Sequence, residues 1–599
     1  MTHICYIYIY EYKCLQDVEL VFDSRYDYSF NREEMKLTIN KPSQTLPDDF
    51  WGKGIWSLTG IFGNNGAGKT TAIKFLLETV VSGYNRDEVD GIVVYETNGE
   101  FKIYHNEEFE KGRKLTIKTE ENHSQITQLR LSDKIETFFF SGHFSSDNFY
   151  DNFYHGYGGL YNASIGSQLK NDVESFANTT DSYFNLPICF YLAANISQRN
   201  NRICKVLLNE KLRKHFTSFE LPKYVIISPN RGGQDHLKYH SSARLRKEQI
   251  SKYLDPNPIY GLVPTRQESL SRFIYFNLLN LYADNQFFDQ RPHIITEWYQ
   301  IVERNSYSNN FKALDKFKEL INNYINEEYV YRCLFSIYKF VEFVDTNCKY
   351  NENGSFYLNV IKDTDKIEEL LRKEASCDFL ISSRLCDITY THNVNSNSIL
   401  SSGEEAMLNL FASIYDAIEL KPQKYSNIKS PSLLLLDEAE IGFHPEWQRN
   451  YIKTLLDFVK ALSSVLGHDY QIVITSHSPI LLSDIPVNCC NFLKKKKVGD
   501  YEFKTTNVRN TQPQTFATNV FELYRNSFFL EDGLIGTFAV EKLQNLESKC
   551  KEGTAKESEI DLIGDERLRE YFRSLLFEKN ESAAIKYYEQ KLKELKEKQ

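Results

Sequence analysis

The chain has 599 residues, of which 41% are hydrophobic and 25% are charged, as is ordinary for a globular protein with a large core. Its 39 tyrosines and 41 phenylalanines argue against extensive disorder. The net charge of −10 excludes a chain-wide positive field that would attract nucleic acid, although a local basic face is compatible with it.

Cysteine usage and hydropathy indicate the compartment in which we expect the protein. The 11 cysteines form no CxxC pair and no cysteine–histidine cluster with zinc spacing, so we expect free thiols in a reducing compartment. The opening "MTHICYIYIYEYKC" has no basic start of a signal peptide, and no apolar run approaches the roughly 20 residues of a membrane span. We therefore expect a soluble cytoplasmic protein with no membrane partner.

The first 150 residues predict strands around one glycine loop. "ICYIYIYEY" and "LQDVELVFD" alternate as paired strands do, with a turn near Lys13 and Cys14. The segment "SLTGIFGNNGAGKTTAIKFLLETVVSG" predicts a strand, a glycine loop and a helix. "GIVVYET" and "EFKIYHN" predict a second hairpin, and "IETFFFSGHFSSD" predicts a strand that runs into a loop.

The middle of the chain predicts helices, and regular α/β texture returns near residue 378. Apolar residues recur at three- and four-residue spacing in "FKALDKFKELINNYINEEYVYRCLFSIYKFVEFV" (311–344), without a sustained heptad repeat. "SPSLLLLDEAEIGFHPEW" and "YQIVITSHSP" each contain a continuous apolar strand, with a helix between them at 446–465. We interpret Lys494 to Lys497 as a β-turn, more typical of a solvated tip than of a nucleic-acid contact.

These elements predict an α/β fold with an interruption. The predicted head has a mixed, mostly parallel sheet with an antiparallel N-terminal part, and a mainly helical insertion divides it. The predicted domains are an N-lobe with the glycine loop (1–150), the insertion (151–377), a C-lobe (378–515) and a helical C-terminal segment for partner binding or dimer support (516–599).

The glycine loop predicts a nucleotide site. It fits the pattern GxxxxGK[ST] between a strand and a helix, where backbone N–H groups wrap phosphates, the lysine reaches the β- and γ-phosphates and the hydroxyl ligates Mg²⁺. The predicted ATP-binding residues here are Gly63, Asn64, Asn65, Gly66, Ala67, Gly68, Lys69, Thr70 and Thr71.

Two buried strands supply the predicted catalytic groups. Asp437 ends the strand "LLLLD", where ligands of a parallel sheet bind, so we predict that it and Thr70 hold Mg²⁺. Glu438 is the predicted group that polarises the attacking water. His477, one strand–helix–strand step later, is the predicted γ-phosphate sensor.

A fourth segment, "LSSGEEAMLNLFASI" (400–414), predicts a helix that starts with a capping box between Ser401 and Glu404. The P-loop, "LSSGE", "LLLLDE" and "TSH" occur in the order of an ABC-type nucleotide-binding domain, which the chain therefore resembles. The resemblance implies that the ATP of a second subunit is bound in trans by Ser401, Ser402, Gly403 and Glu404. It thus implies a homodimer of heads with ATP between them, or a higher even oligomer.

The chain resembles one branch of ABC-type proteins in particular. The loop "IFGNNGAGKTT" and the block "LLDEAEIGFHPEWQ" resemble RecF/SMC-like and "overcoming lysogenization defect"-like soluble ATPases. The insertion lacks the length and the hook CxxC of break-repair members, and only about 100 residues follow His477. The acidic "IDLIGDE" reads as a loop and a helix start instead of a nuclease site.

The tail carries a closer resemblance. "TFATNVFELYRNSFFLEDGLIGTFAVEKLQNL" (515–546) is similar to the segment after the switch histidine in PtuA-like ATPases of Septu anti-phage systems, relatives of which accompany retrons. That family implies a separate HNH nuclease (PtuB-like) as partner, and it allows bound DNA or RNA such as retron msDNA. Residues 150–375 match nothing in it. The stretch with Ser141 and His143 lies where the family has its glutamine loop, but it contains no glutamine. A second departure is Ala439, which stands where many relatives have proline.

Three functions follow from these patterns. The first is a slow regulatory ATPase of a bacterial defence complex that controls a nuclease. The second is a DNA repair or recombination ATPase that clamps DNA, which DNA-stimulated hydrolysis with a steep salt dependence would indicate. The third is a self-contained toxin with a nuclease site in the insertion, for which we find no histidine–cysteine or acidic arrangement.

Overall fold

A computed structural model describes residues 2–42, 45–77, 90–105, 116–119, 125–126, 135–142, 160–177, 188–231, 264–284, 288, 291–305, 308, 310–375, 384–395, 399–419, 432–497, 503–527 and 535–597. The chain divides into two compact units, Met1–Leu523 and Tyr524–Gln599.

The strands of the first unit form three sheets. They are β1 (Thr2–Tyr12), β2 (Leu15–Val21), β3 (Asp27–Asn31), β4 (Lys36–Asn40), β5 (Ile55–Gly63), β6 (Asp90–Thr97), β7 (Glu100–His105), β8 (Thr116–Thr119), β9 (Gln125–Ile126), β10 (Thr137–Ser141), β11 (Leu160–Asn162), β12 (Tyr224–Pro229), β13 (Lys349–Tyr350), β14 (Phe356–Asn359), β15 (Cys386–Thr391), β16 (Ser432–Asp437), β17 (Tyr470–Thr475), β18 (Cys490–Lys497) and β19 (Phe503–Asn507).

The largest sheet has the order β11-β10-β16-β17-β5-β18-β19-β2-β1-β6-β7-β9. The strands from β11 to β18 pair in parallel, whereas β2, β1, β6 and β7 pair antiparallel. The predicted α/β fold with a mostly parallel sheet and an antiparallel N-terminal part is therefore confirmed. Both predicted hairpins are present, and Lys13 has a φ of 52° in the turn of the first.

Burial on both faces explains the apolar strands. Every residue of β16 and β17 is buried, as expected for the centre of a sheet covered on both sides. The alternation in β1 separates two clusters of buried side chains. The isoleucines and Tyr12 of β1 share a cluster with the P-loop helix, in which Tyr12 contacts Phe75, whereas Tyr8 packs with Phe30 of β3 in the other cluster.

An ion network ties β1 to the strands beside it. The Arg25 guanidinium lies 2.7 Å from Asp23, 2.5 Å from Glu96 and 2.8 Å from His3. His3, Cys5, Asp23 and Glu96 together have the chemistry of a metal-ligand set. Arg25 supplies a positive charge among these groups, and we interpret them as a structural network.

Helices of the first unit cover the sheet and build the insertion. They are α1 (Lys69–Leu76), α2 (Ile165–Ala177), α3 (Ile188–Leu208), α4 (Glu210–His215), α5 (Arg266–Asp284), α6 (His293–Asn305), α7 (Ala313–Asn322), α8 (Glu328–Asn347), α9 (Thr364–Ala375), α10 (Ser402–Glu419), α11 (Pro445–Leu466), α12 (Pro479–Leu482) and α13 (Val520–Ser527), which crosses the division between the units; two 3₁₀ turns lie at Val487–Cys489 and Arg509–Thr511.

Long-range strand pairing links the insertion to the chain that follows it. The order β13-β14-β12-β15 forms a four-stranded sheet, in which Tyr224 pairs with Thr391 and Pro229 with Cys386. The strand β15 lies after residue 378, yet its described neighbour belongs to the insertion. Besides its helices, the insertion thus contributes three short strands to this sheet and β11 to the largest one, a feature that the helical periodicity of 311–344 does not indicate.

The lysine run is not a turn, and that prediction is wrong. Lys494 to Lys497 lie in β18 and pair antiparallel with β19, Lys494 opposite Thr506 and Lys496 opposite Lys504. The consecutive charges hide the strand in the sequence. The backbone hydrogen bonds supplied by residues 503–507 stabilise it regardless of side-chain polarity.

The second unit is helical around its own small core. It contains α14 (Thr537–Lys551), α15 (Glu557–Ile560), α16 (Glu566–Phe577) and α17 (Glu581–Glu597). Its buried core is Leu546, Cys550, Ala555, Ile560, Phe572 and Leu576. The predicted loop and helix start at "IDLIGDE" are confirmed, since α16 begins at Glu566 with Asp565 as its N-cap. Within the ranges described above, no helix has the length and hydropathy to cross a bilayer.

Candidate functional site

The P-loop connects β5 to α1, and two glycines make its path possible. Gly63 has a φ of +153°, and a Cβ there would lie 2.1 Å from the backbone oxygen of Leu493. Gly68, the N-cap of α1, has a φ of +91°, a region that L side chains rarely adopt. The Lys69 ammonium donates back to the carbonyls of Gly63 at 3.3 Å and Asn64 at 3.4 Å. The loop therefore curves around its own lysine.

The two predicted Mg²⁺ ligands lie together. Asp437 ends β16, and its Oδ1 lies 3.2 Å from the Thr70 hydroxyl. Neighbouring oxygens of an octahedral Mg²⁺ with bonds near 2.1 Å are about 3.0 Å apart, so this pair fits such an ion. A second hydroxyl, Thr475 of β17, donates to the same Oδ1 at 2.6 Å and holds the carboxylate in place.

Glu438 turns sharply away from the end of the strand. Its φ is 48°, which is uncommon for a residue with a side chain and is often found at functional sites. The Glu438 N–H donates to the Thr475 hydroxyl at 3.0 Å, which holds the turn. The carboxylate then lies 3.1 Å from Nε2 of His477. The two predicted catalytic residues are therefore in contact.

Lys69 completes this cluster from the other side. Its Nζ lies 2.6 Å from Nε2 and 3.3 Å from Nδ1 of His477, so the ammonium contacts the imidazole ring. Burial lowers the pKa of Lys69 to about 8, against the opposing attraction of Glu438, Asp437 and Glu440. Lysine, histidine and glutamate from three separate segments thus meet at the carboxyl ends of β5, β16 and β17.

Glu440 lies behind the cluster and was not predicted. The side chain is buried, and it accepts a short hydrogen bond from the Ser476 hydroxyl. That hydroxyl in turn accepts from the Ser478 N–H at 2.8 Å, so the bonds run along the segment that carries His477. Burial raises the pKa of Glu440 to about 7. Its signal in the sequence is the third acid of "DEAE", two residues after Glu438.

The segment "LSSGE" (400–404), which we call the signature segment, begins α10 with the predicted capping box. The Ser401 N–H donates to the Glu404 carboxylate at 2.7 Å, and the Glu404 N–H donates to the Ser401 hydroxyl at 3.3 Å. Ser401 and Ser402 are exposed. Gly403 is buried, and a Cβ there would lie 2.3 Å from the ring of Trp447 in α11. The glycine therefore lets the signature helix approach α11 closely. Binding of a partner's ATP by this segment stays a prediction.

The signature helix is attached to the insertion along its length. The helix α3, together with the residue after it, contacts α10 at three points along its length. Arg199 lies 2.8 Å from Glu405, Lys205 lies 2.5 Å from Asp416, and Asn209 lies 2.8 Å from Tyr415. Sequence reasoning missed them because the partners are about 200 residues apart. They provide a physical connection between the predicted dimer surface and the insertion.

One further predicted segment is only partly described. Ser141 ends β10, is buried and lies opposite Asp437 in the parallel pairing, so it shares the site's edge of the sheet. His143 lies outside the described residues. Ala439 is buried directly after Glu438, and the Glu438 turn forms without a proline.

Two known proteins are similar to this chain. The chain matches Protein ea59 of Escherichia phage lambda at 24% identity over 238 residues, which are 39% of this chain and 40% of that protein. It thus spans less than half the length of that relative. A solved structure of the recombination mediator protein RecF with ATP is similar at 11% identity and a TM-score of 0.21, covering 82% of this chain and 97% of that one.

A family model described as "AAA domain, putative AbiEii toxin, Type IV TA system" matches residues 58–483. The matched range contains the P-loop, the signature segment, the Asp437–Glu438 pair and His477, together with the insertion. It extends over more than half of the chain. The protein therefore belongs to this AAA family, whose general activity is ATP binding and hydrolysis.

Proposed function

We propose that the protein is an ATP-driven regulatory subunit of a bacterial anti-phage defence complex, which dimerises head to head around ATP and controls a separate nuclease. The carrying observation is that His477 lies within hydrogen-bond reach of both Lys69 and Glu438, at the edge of the sheet where Thr70 also meets Asp437. This arrangement of lysine, acid pair and histidine suits phosphoryl transfer to water.

Each group has a defined part in the proposed hydrolysis. Lys69 exchanges its bonds to the loop carbonyls and His477 for the β- and γ-phosphates when ATP enters. Thr70 and Asp437 are the residues that would hold Mg²⁺, which neutralises charge on the phosphate oxygens. Glu438, released from His477, orients the attacking water, and His477 contacts the γ-phosphate.

The proposed dimer follows from the signature segment. The exposed Ser401 and Ser402 begin α10, where backbone N–H groups and the helix dipole favour an anion. In the dimer this end faces the γ-phosphate held by the second copy. Hydrolysis removes that phosphate and so releases the halves. The ion pair between Arg199 and Glu405 would pass this movement to the insertion.

The defence role rests on family descriptions and on the tail. The family description names a putative AbiEii toxin and a type IV toxin–antitoxin system, and the matched relative is a phage protein. The segment 515–546 resembles PtuA-like ATPases, whose partner is an HNH nuclease. In the second unit Phe538 and Leu562 are 72% and 85% exposed, a feature compatible with partner binding.

The test is purification of the tagged protein from its native operon with ATP present, followed by mass spectrometry and light scattering. We expect a stoichiometric nuclease with an even number of ATPase chains. The Lys69→Ala variant, purified in parallel, should lose the ATP-dependent dimer. A bare dimer that carries only DNA, with DNA-stimulated hydrolysis, would replace this proposal with a DNA clamp. Nuclease activity of the isolated chain would replace it with a toxin.

A further inference from the structure

The lysine-rich strand β18 lies directly beside the strand that leads into the P-loop. Residues Cys490 to Leu493 pair in parallel with Gly60 to Gly63. The pairing therefore ends where the loop begins, and the strand continues through Lys494 to Lys497. This register places the first lysines of the run next to the loop, although about 430 residues separate them from it in the sequence.

One lysine of the run reaches the loop itself. The Lys495 ammonium lies 3.8 Å from the position that a Cβ on Gly66 would occupy. Gly66 is in the middle of the P-loop, and its φ of +71° favours glycine. Lys495 is exposed, so an incoming anion can approach its ammonium. A second positive charge thus stands beside the predicted phosphate cradle.

The charges around the site explain how this lysine would favour phosphate binding. Lys69 is buried near Asp437, Glu438 and Glu440, so carboxylates outnumber the ammonium around the predicted γ-phosphate position. A triphosphate entering this site meets repulsion that Lys69 alone does not cancel. A lysine on the outer side of the loop attracts the polyanion and stays hydrated while doing so.

We propose that Lys495 is a second phosphate-binding cation of the P-loop, contacting the triphosphate from β18 opposite Lys69. This proposal rests on the proposed ATP-binding function and adds a residue to the same site. It also assigns one member of the lysine run to nucleotide, not to nucleic acid.

The test compares Lys495→Ala with Lys494→Ala in the full-length protein. Neighbouring residues of a strand point to opposite faces, so Lys494→Ala removes the same charge from the other face of β18. The probe is a fluorescent ATP analogue with Mg²⁺, titrated at low and high salt. We expect Lys495→Ala to weaken binding about tenfold at low salt and less at high salt, while Lys494→Ala stays within about twofold. Lys495→Arg should retain most of the affinity.

Different results would refute the proposed ATP site and the proposed role of Lys495. If Lys69→Ala binds the analogue as tightly as the unaltered protein, the proposed ATP site is wrong. If Lys69→Ala abolishes binding but Lys495→Ala matches Lys494→Ala, only the assignment of Lys495 is wrong. Far-ultraviolet circular dichroism and the melting temperature of each variant show whether it is folded. Should Lys495→Ala be unfolded, Lys495→Gln, which keeps the stem of the side chain, takes its place in the same comparison.

Discussion

Replacing the buried Glu440 by glutamine should change how the stability of the site depends on pH. Burial raises the pKa of Glu440 from 4.5 to about 7, whereas in the unfolded chain it returns to 4.5. Between these values the folded state holds a proton that the unfolded state has released. The free energy of unfolding therefore falls as pH rises from 4.5 to 7, and above 7 the loss is constant.

The size of the effect follows from the difference in pKa. A shift of about 2.5 units, at 1.36 kcal/mol per unit, corresponds to a loss of about 3 kcal/mol across this window. Glutamine keeps the shape and can still accept the Ser476 hydrogen bond, but it has no proton to release. The variant should thus be similar to the unaltered protein near pH 4.5 and more stable than it at pH 7.5.

Hydrogen exchange of the segment 470–478, measured by mass spectrometry, reports this local stability. Comparing variant and unaltered protein at each pH cancels the intrinsic exchange rate. The control is Glu446→Gln, because Arg449 lowers the pKa of that exposed carboxyl and its removal cannot reproduce the growing difference. A difference for Glu440→Gln that is constant from pH 4.5 to 7.5 would refute the reasoning, since Glu440 would then titrate alike in both states.

Three further predictions concern the proposed cycle. Glu438→Gln should bind ATP but hydrolyse it at least about a hundredfold more slowly, and so accumulate as an ATP-bound dimer in light scattering. Gly403→Ala should leave ATP binding unchanged and prevent that dimer, because the new methyl group displaces Trp447 and with it the start of α10. Thr70→Ala should weaken the Mg²⁺ dependence of hydrolysis, measured as the Mg²⁺ concentration at half-maximal rate, since Asp437 loses its neighbouring oxygen.

Each of these predictions has its own contrary outcome. Unchanged hydrolysis and dimerisation in Glu438→Gln would remove Glu438 from its proposed role. If Gly403→Ala forms the ATP-bound dimer as the unaltered protein does, the close approach of Gly403 to Trp447 does not position the dimer surface. An unaltered Mg²⁺ requirement in Thr70→Ala would show that the hydroxyl is not a ligand.

Much of the site could be predicted because its signals are local. The P-loop is a short run in which glycines and Lys69 must be adjacent, and the four leucines before Asp437 indicate a strand buried on both faces. The capping box is a pair of residues three apart. In each case the physical requirement is met within a few residues, so the sequence displays it directly.

The tertiary structure decided what depends on distant partners. The strand at Lys494 to Lys497 forms because residues 503–507 supply its hydrogen bonds, and its composition gives no sign of this. Glu440 becomes a buried acid only when Ser476 and the strands of the sheet enclose it. Likewise, the attachment of the signature helix through Arg199 and Glu405 joins segments that are about 200 residues apart. Strand pairing, burial and ion pairs between remote segments depend on the fold, so no single segment of the sequence displays them.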